Sequence, residues 1–266
     1  RGIWFDGSSI EGFTRIFESD MYLKPDAETY AIVPWKKEVI TARFICDVFM
    51  PDGEPFEGDP RHILRQAVKK SEALGYDYKT GPELEFFLFK GNGHSTELHD
   101  DAGYFDFSPR DLAAEFRKDV IFSLSAFGIE TEMSHHEVAP SQHEIDLRYT
   151  DALTMADNVM TYRLVVKEIA RRHGVYATFM PKPILGINGS GMHVHQSLFK
   201  GNRNAFFDAK EKYYLSNIGK SYTAGLLKHA PEITSITSQW VNSYKRLVPG
   251  YEAPVYICWA QMNRSA

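Results

Sequence analysis

Two carboxylates stand two residues apart in an otherwise apolar segment of this 266-residue chain, GPELEFFLF at residues 81–89. Alternate residues of an extended strand face the same side, so Glu83 and Glu85 should share a face, with Cβ atoms roughly 6.5–7 Å apart. Two carboxylates buried there without compensation would repel each other and lose their hydration. The pattern therefore predicts either a hydrated strand face or a positive group in front of the pair.

Two further segments place polar side chains on predicted strands. In SHHEVAPSQHEIDLRY, Glu137 and Glu144 lie on either side of a Pro-Ser turn, and a hairpin would bring both to the same end of a sheet. In NGSGMHVHQSLF, a strand that follows a glycine-rich run would present one face made of His193, His195 and Ser197. The glycines allow the backbone to approach a ligand closely.

These carboxylates and imidazoles are typical ligands of divalent cations. Mg²⁺ and Mn²⁺ prefer oxygen ligands, and an imidazole shifts the preference toward Mn²⁺ without excluding Mg²⁺. Two cations that share carboxylates suit phosphoryl transfer, because they neutralise charge on the phosphate oxygens. Near the end of the chain, Arg246, Glu252 and Arg264 surround a Pro-Gly turn, and arginine matches carboxylate or phosphate bidentately. The residues alone predict a two-metal site for phosphoryl transfer or hydrolysis.

Each feature also has a simpler structural explanation. The first carboxylate pair could be a hydrated or ion-paired strand face, and a lone histidine is more often a core residue than a ligand. Asp146 and Arg148 could form an ion pair with each other. His135 and His136 point in alternate directions along a strand, and both are left outside the predicted site. Several costly polar strand faces in one chain are nevertheless best explained by a shared charged ligand.

The elements that would position these residues alternate between helices and strands. Caps, first-turn prolines and terminal glycines predict helices at residues 59–75, 108–128, about 151–173 and most of 210–230. Apolar and β-branched runs predict strands at residues 82–89, 129–138, 143–149, 175–183 and 192–199, with shorter strands in residues 1–50. The pattern predicts an α+β fold. A polar, Pro- and Gly-rich stretch, MPDGEPFEGDP, marks a domain boundary that separates residues 1–57 from residues 58–266.

The composition is typical of a soluble globular protein, with 43% hydrophobic and 24% charged residues. A net charge of −5 argues against nucleic acid as the main partner. No segment has the ~18 apolar residues of a membrane helix, and no signal peptide is visible. With only Cys46 and Cys258, a reducing compartment is expected, which indicates the cytoplasm. Neither end has the polar, tapering composition of a natural terminus, so a longer polypeptide is expected.

Five motifs, in this order, resemble those of type I glutamine synthetases. They are FDGSSIEGF, GPELEFFLF, HHEVAPSQHEID, NGSGMHVHQS and NSYKRLVPGYEAPV with its following NRSA, and they span the chain from Asp6 to Ala266. The resemblance implies a partial N-terminal β-grasp-like domain. It also implies a catalytic domain whose curved antiparallel sheet, flanked by helices, holds the metals. A dodecamer of two hexameric rings, with active sites between subunits, is implied as well.

The resemblance also implies roles for individual residues. The cation that helps position glutamate would be held by Glu85, Glu137 and Glu144. The cation that bridges the ATP phosphates would be held by Glu83 and His193. The positions that contact nucleotide are Glu132, His195 and Ser197. The positions that bind glutamate are Asn188, Gly189 and Arg246.

The other matches concern phosphoryl transfer and the ammonium step. Glu252 matches the flap residue that closes over the intermediate and helps take protons from ammonium. Arg264 matches the arginine that stabilises the transferring phosphoryl group. Asp6 and Ser9 match the ammonium-site loop, which in this family enters the active site of the neighbouring subunit. Tyr104 falls where the family lines the ammonium pocket.

The implied reaction joins ammonium to the γ-carboxylate of L-glutamate. ATP first phosphorylates the carboxylate to γ-glutamyl phosphate, and ammonia then displaces phosphate to give L-glutamine, ADP and phosphate. In this family a further metal-ligating glutamate and further arginines follow the NRSA motif. A chain of 266 residues alone is therefore expected to lack useful synthetase activity.

Three other functions compete with this one. A ligase that joins glutamate to a larger amine, such as a polyamine, would need the pocket of Asp6, Ser9 and Tyr104 to be reshaped. A non-catalytic assembly protein would have no reason to keep so many costly polar residues. A hydrolase with the same two-metal site would have no use for the flap or the ammonium loop.

Overall fold

Helices and strands alternate along most of the chain, of which the computed structural model describes residues 2–10 and 19–263. The α-helices in this part are α1 Pro60–Ala73, α2 Ala114–Ala126, α3 Ala152–Arg172, α4 Asn217–Thr237 and α5 Val241–Arg246. The strands are β1 Ile3–Asp6, β2 Asp20–Pro25, β3 Ala31–Ile32, β4 Ala42–Arg43, β5 Cys46–Phe49, β6 Asp77–Lys90, β7 Thr131–His136, β8 Gln142–Leu147, β9 Thr150–Asp151, β10 Val175–Thr178, β11 Met192–Lys200 and β12 Arg203–Asn204.

The strands form antiparallel sheets, which confirms the predicted α+β fold. The N-terminal strands make a three-stranded sheet in the order β1-β2-β5 and a separate β3-β4 pair. The large sheet has seven strands in the order β12-β11-β6-β8-β7, and β9 and β10 each pair with β6 as well. The 14-residue strand β6 therefore lies at the centre of the sheet and contacts four other strands.

The two faces of β6 lie in different surroundings. Leu84, Phe86 and Leu88 are buried in the main core, where they pack against α2 and α3. The buried helical residues of this core are Phe116, Val120, Leu124, Met155, Tyr162, Val165, Val166, Ile169 and Ala170. On the face that carries the two glutamates, Phe87 and Phe89 pack in a second, smaller cluster. Full burial of each large apolar side chain contributes ~1.5–3 kcal/mol, so the helix-covered face anchors the strand.

Two helices lie where the sequence predicts them. Asp59 caps α1 by accepting the backbone N–H of Arg61 at 3.0 Å, and a proline follows the cap. Gly75, just beyond this helix, has φ +82°, a conformation that glycine adopts without strain. Asp151 caps α3 by accepting the N–H of Thr154 at 2.9 Å.

The second helix begins later than predicted. The Ser-Pro pair suggested a start at residue 108, whereas α2 begins at Ala114. Asp111 accepts the N–H of Ala113 at 2.9 Å and forms an ion pair of 2.5 Å with Arg117, whose side chain is buried. Because this buried ion pair holds the segment in turns, tertiary contacts rather than the local cap signal set the start of the helix.

The central strand begins earlier than the predicted residue 82, because β6 runs from Asp77 through Gly81 and Pro82. His195 lies opposite Gly81, and Val194 lies opposite Pro82. On the other edge, pairing changes from β9 to β8 at these two residues, so the proline removes no ladder hydrogen bond there. A Cβ at Gly81 would lie 3.1 Å from the Cβ of Tyr149, so glycine leaves room for this neighbour.

Other boundaries differ by a few residues. Strands β7 and β8 are shorter than predicted because residues 137–141 form the turn between them. Strand β10 ends at Thr178 instead of residue 183, and α4 begins at Asn217 instead of residue 210. Within the described part of the chain, no helix is both long enough and apolar enough to cross a bilayer.

A cluster of opposite charges joins the N-terminal strands to α1 and α3. The side chain of Arg61 is only 9% exposed and pairs with Asp26 at 2.7 Å, Asp157 at 2.9 Å and Asp47. Arg65 also pairs with Asp47, at 3.0 Å. One guanidinium therefore connects carboxylates from three parts of the chain.

Replacing this guanidinium should destabilise the protein. In Arg61→Met, three aspartates would remain clustered without their shared cation, so we expect the free energy of unfolding to fall by about 2–4 kcal/mol. Urea denaturation of both proteins measures this change. Arg148→Met removes a surface ion pair with Glu130 and should change stability by less than about 1 kcal/mol. Equal losses in the two variants would contradict the importance of the cluster.

Candidate active site

A cavity of about 360 Å³ lies over the polar face of the large sheet. Most predicted site residues line it, namely Glu83, Glu85, Tyr104, Glu137, Glu144, Asn188, Gly189, His193, His195, Arg246 and Glu252. Five further lining residues were not among the predicted site residues, namely Met133, His135, Val138, Gln142 and Tyr251. Glu83 and Glu85 of β6, and His193 and His195 of β11, line the cavity together, because alternate side chains of a strand face one side.

The strand register brings the ionisable side chains together. Glu85 on β6 lies opposite Glu144 on β8, and Glu83 lies opposite His193 on β11. His195 Nε2 is 2.6 Å from Glu83 Oε1, and His193 Nε2 is 3.4 Å from Glu85 Oε1. Carboxylates therefore lie at the centre of the sheet face, with imidazoles beside them.

Glu85 is held by one donor from β8 and one from the loop before β11. Its Oε2 accepts the side-chain amide of Gln142 at 2.8 Å and the backbone N–H of Gly191 at 3.1 Å. Its Oε1 faces His193 in the cavity. One oxygen of the carboxylate thus accepts hydrogen bonds from the protein, and the other faces the cavity.

His135 is outside the predicted site, but its side chain lines the cavity. Its Nδ1 lies 3.1 Å from the carbonyl oxygen of His136 and must donate to it, so Nε2 faces Glu144 at 3.2 Å. The imidazole stacks on Phe105, with ring centroids 4.7 Å apart. Burial alone lowers the pKa of His135, but the hydrogen bond to Glu144 and the nearby charge of Glu137 outweigh burial and raise it to about 9. Its shared parity with Glu137 was the signal in the sequence.

Negative charge in the cavity is incompletely neutralised. Burial raises the pKa of both Glu137 and Glu144 to about 7, and neighbouring carboxylates add to the effect. Burial also raises the pKa of Asp146, whose Oδ1 is buried without a hydrogen-bond partner among the described residues. The suggested pairing of Asp146 with Arg148 is wrong, because Arg148 pairs with Glu130 at the surface.

These residues fit a divalent cation. The donor set consists of carboxylate oxygens and imidazole nitrogens, the ligands that Mn²⁺ and Mg²⁺ accept. Raised carboxylate pKa values and the unsatisfied Asp146 oxygen both indicate that positive charge is needed. His135, Glu144 and Asp146 place one ligand atom each within 4.8 Å of one another.

A second group of histidines lies behind the cavity and forms hydrogen bonds instead. His136 Nε2 donates to Asp100 Oδ1 at 2.9 Å. His143 Nδ1 lies 3.0 Å from Arg117 Nη1, and because a guanidinium can only donate, the proton of this neutral imidazole is on Nε2. A protonated Nε2 cannot coordinate a metal, although Asp100, His136 and His143 have suitable spacing.

This buried network fixes the turn between β7 and β8. Ser141 has φ +61°, and its N–H donates to Asp100 Oδ1 at 2.9 Å. Its hydroxyl accepts the N–H of Asp100 at 2.7 Å and lies 2.9 Å from the Asp100 carbonyl oxygen. The turn that connects Glu137 to Glu144 is therefore tied to the loop that carries Tyr104.

Another side of the cavity is formed by a glycine-containing loop at residues 188–191, by Arg246 and by the segment of Glu252. A Cβ at Gly189 would lie 2.2 Å from the Pro181 carbonyl oxygen, and one at Gly191 would lie 2.6 Å from Arg246 Nη2. Burial lowers the pKa of Arg246, and the charge of Glu85 opposes this effect. The Asn188 side-chain amide donates to Glu252 Oε2 at 2.9 Å, so the segment of Glu252 contacts the loop of residues 188–191.

Several predicted residues do not line this cavity. Asp6 accepts hydrogen bonds from Ser8 and Ser9 in a turn at the end of β1. Glu132 is exposed at a bulge of β7, and Ser197 is half-buried on β11 beyond His195. Arg264 lies outside the described residues, so its predicted role stays a prediction.

Two family models match the chain. One, described as the glutamine synthetase β-grasp domain, matches residues 1–51. The other, the glutamine synthetase catalytic domain, matches residues 57–266. These matches confirm the predicted combination of a β-grasp-like domain with a catalytic α+β domain.

Named relatives agree with the family models. The glutamine synthetase of Methanosarcina mazei is 56% identical over 269 residues, which cover 100% of this chain and 60% of the relative. That of Clostridium saccharobutylicum is 56% identical over 266 residues, 98% of this chain and 60% of the relative. A cryo-EM structure of Plasmodium falciparum glutamine synthetase matches with a TM-score of 0.86 and 30% identity, over 94% of this chain and 55% of the other. The chain thus spans about 60% of the length of these curated relatives.

The turn between β7 and β8, in which Ser141 has a positive φ, allows a test of backbone strain. Ser141→Ala keeps the left-handed backbone but loses the hydroxyl contacts with Asp100, so we expect a loss of about 1–3 kcal/mol in unfolding free energy. Ser141→Gly loses the same contacts but relieves the strain, and should be roughly 0.5–1 kcal/mol more stable than Ser141→Ala. Urea denaturation ranks the three proteins. A glycine variant less stable than the alanine variant would contradict this account.

Cation binding offers a test of the carboxylate cluster. Glu85→Gln and Glu144→Gln should each weaken Mn²⁺ binding by about tenfold or more, because each removes an anionic oxygen ligand. Electron paramagnetic resonance of free and bound Mn²⁺ gives the dissociation constants. Glu97→Gln, at an exposed ion pair with Lys90, is the matched control and should leave Mn²⁺ affinity unchanged. Unaltered affinity in both cavity variants would exclude this cavity as the cation site.

Proposed function

Since this chain belongs to the glutamine synthetase family, we propose that the complete protein is a ligase that makes L-glutamine from L-glutamate, ammonium and ATP. The observation that supports this most strongly is the convergence of residues from four of the five motifs on one cavity. Three separate segments contribute the carboxylates and imidazoles of β6, β8 and β11, and Glu252 lines the same cavity, where it accepts a hydrogen bond from Asn188.

Cation binding is assigned to the sheet face. We assign Glu85, Glu137 and Glu144 to the cation that helps position glutamate, and Glu83 with His193 to the cation that bridges ATP phosphates. Bound Mg²⁺ or Mn²⁺ would neutralise the charge that develops on phosphoryl oxygens. The pKa values of Glu137 and Glu144, which burial and neighbouring carboxylates raise, support this assignment.

The amino-acid substrate is assigned to the loop and the buried arginine. Arg246 Nε is buried without a hydrogen-bond partner in the described part of the chain, so the guanidinium can donate to a substrate carboxylate. Asn188 and the Gly189 carbonyl line the same side of the cavity. These groups would orient glutamate so that its γ-carboxylate attacks the γ-phosphate of ATP.

The nucleotide is assigned to the neighbouring strands. Our proposal places Glu132, His195 and Ser197 at the nucleotide. His195 lies on the cavity wall beside Glu83, which suits a site next to the bridging cation. We keep Arg264 as the residue that stabilises the transferring phosphoryl group, since positive charge there would oppose the developing negative charge.

The ammonium step is assigned to the flap and to a neighbouring subunit. Glu252 would accept a proton from ammonium and, with the closed flap, keep water away from γ-glutamyl phosphate. Tyr104 lies on the cavity wall near these groups. Asp6 and Ser9 form a compact turn and would enter the site of an adjacent subunit, which requires a ring assembly.

The same proposal covers the assembly of the protein, its compartment and its domains. We propose a dodecamer of two hexameric rings that works in the cytoplasm, without a nucleic-acid or membrane partner. Residues 1–57 would form the small domain that presents Asp6, and residues 58–266 would form the part of the catalytic domain in this chain.

Replacing the flap carboxylate tests this function. In the complete protein, Glu252→Gln should lower kcat for glutamine formation by about 100-fold or more, since it removes the proton acceptor. Phosphate release should fall less than glutamine formation, because water would reach the acyl phosphate. Both products are measured at saturating L-glutamate, ATP and ammonium.

Two comparisons complete this test. Glu232→Gln, at an exposed position on α4, is the matched control and should retain normal rates. Unchanged glutamine formation by Glu252→Gln would remove the proposed role. Faster phosphate release with a polyamine than with ammonium, in the unmodified protein, would favour the ligase of larger amines instead.

A further inference from the structure

One buried amide joins the cation side of the cavity to its amino-acid side. We propose that Gln142 is a positioning residue that couples cation binding at Glu85 to amino-acid binding at the loop of residues 188–191. This inference rests on the proposed function and adds a linkage between two ligands of the same cavity. None of the five motifs suggested a role for this side chain.

The hydrogen bonds of Gln142 determine how the amide is oriented. Its Oε1 accepts the N–H of Ala139 at 3.2 Å, so the NH₂ group faces the other way. Nε2 donates to Glu85 Oε2 at 2.8 Å and to the Gly189 carbonyl oxygen at 3.1 Å, and it lies 3.3 Å from Ser190 Oγ. The side chain is 1% exposed, so water does not compete for these bonds.

On the cation side, the amide selects one oxygen of the Glu85 carboxylate. Oε2 receives both Gln142 and the N–H of Gly191, whereas Oε1 lies in the cavity beside His193. A rotation of the carboxylate would break two hydrogen bonds in a buried site. Gln142 therefore holds Glu85 ready to offer Oε1 to a cation.

On the amino-acid side, the same amide holds a loop that has little freedom. The N–H of Ser190 donates to the Pro181 carbonyl oxygen at 2.9 Å, and that oxygen leaves no space for a side chain at Gly189. Arg246 lies against Gly191 in the same way. The loop can shift only together with its hydrogen-bond partners, of which Gln142 contacts both Gly189 and Glu85.

Coupling follows from these shared contacts. Because Glu85, the Gln142 amide and the Gly189 carbonyl shift only together, a cation that sets the position of Glu85 also sets the position of the loop that glutamate meets. Linkage is reciprocal, and glutamate must tighten cation binding by the same factor. The amide contributes through these positions and needs no contact with either ligand.

Mn²⁺ binding with and without L-glutamate measures the coupling in the complete protein. Electron paramagnetic resonance gives the Mn²⁺ dissociation constant at zero and at saturating L-glutamate. In the unmodified protein we expect glutamate to tighten Mn²⁺ binding by at least about fivefold, a typical lower value for coupled sites. In Gln142→Met, which has a similar length but no amide, we expect the ratio to fall below about twofold.

Two further variants separate positioning from general destabilisation. Gln142→Glu retains the acceptor for Ala139 but lacks the donor to Glu85, so it should also lose the coupling, and it serves if the methionine variant does not fold. Gln196→Met is the matched control, because Gln196, on β11 of the same sheet, accepts hydrogen bonds from Tyr78 of β6 and Tyr222 of α4. It should lower the melting temperature while the glutamate effect on Mn²⁺ stays intact.

The outcomes distinguish this inference from the proposed function. Mn²⁺ and glutamate binding that remain fully coupled in both Gln142 variants would overturn the inference alone. Coupling absent from the unmodified protein, with Mn²⁺ still bound, would overturn it as well. Failure of the unmodified protein to bind Mn²⁺ at all would overturn both the inference and the cation assignment.

Discussion

The surrounding structure depends on the carboxylates that are buried on one face of β6 and β8. Glu85 and Glu144 face each other across two paired strands, and burial raises the pKa of Glu144 to about 7. Such a cluster is costly unless positive groups and donors surround it. His135, His193 and the Gln142 amide lie around the cluster for this reason, and the remaining deficit of positive charge makes the cavity suitable for a cation.

The rest of the fold keeps this cluster rigid. The helix-covered face of β6 supplies the hydrophobic anchor, and the opposite face is then free to carry charge. Behind the cavity, Asp100 accepts hydrogen bonds from His136 and Ser141 and fixes the turn between Glu137 and Glu144. Arg61 joins the N-terminal strands to α1 and α3 through three aspartates. Apolar packing thus anchors the sheet, while the polar networks fix its turns and add to its stability.

The arrangement is compatible with the two steps of the proposed ligation. Phosphoryl transfer needs concentrated positive charge beside phosphate oxygens, and the second step needs a proton acceptor in a place that excludes water. Under that proposal the sheet face would hold the cations for the first step, and Glu252, which accepts a hydrogen bond from Asn188, would serve the second. Glycines at residues 189 and 191 leave no space for side chains, so this loop is packed closely against Arg246.

Period-two spacing in the sequence by itself determined which strand residues would share a polar face, because the side-chain direction of a strand alternates regardless of context. The sequence likewise determined α1 through its Asp59 cap and Pro60, and α3 through the glycine at its end, because these signals act locally. Tertiary structure alone decided the late start of α2, the passage of β6 through Gly81 and Pro82, and the entry of Gln142 into the site. These features depend on buried ion pairs, strand register and hydrogen bonds between distant segments, none of which has a local sequence signal. The motifs in the sequence indicated the family, but only the folded chain brings residues of four of the five motifs to one cavity.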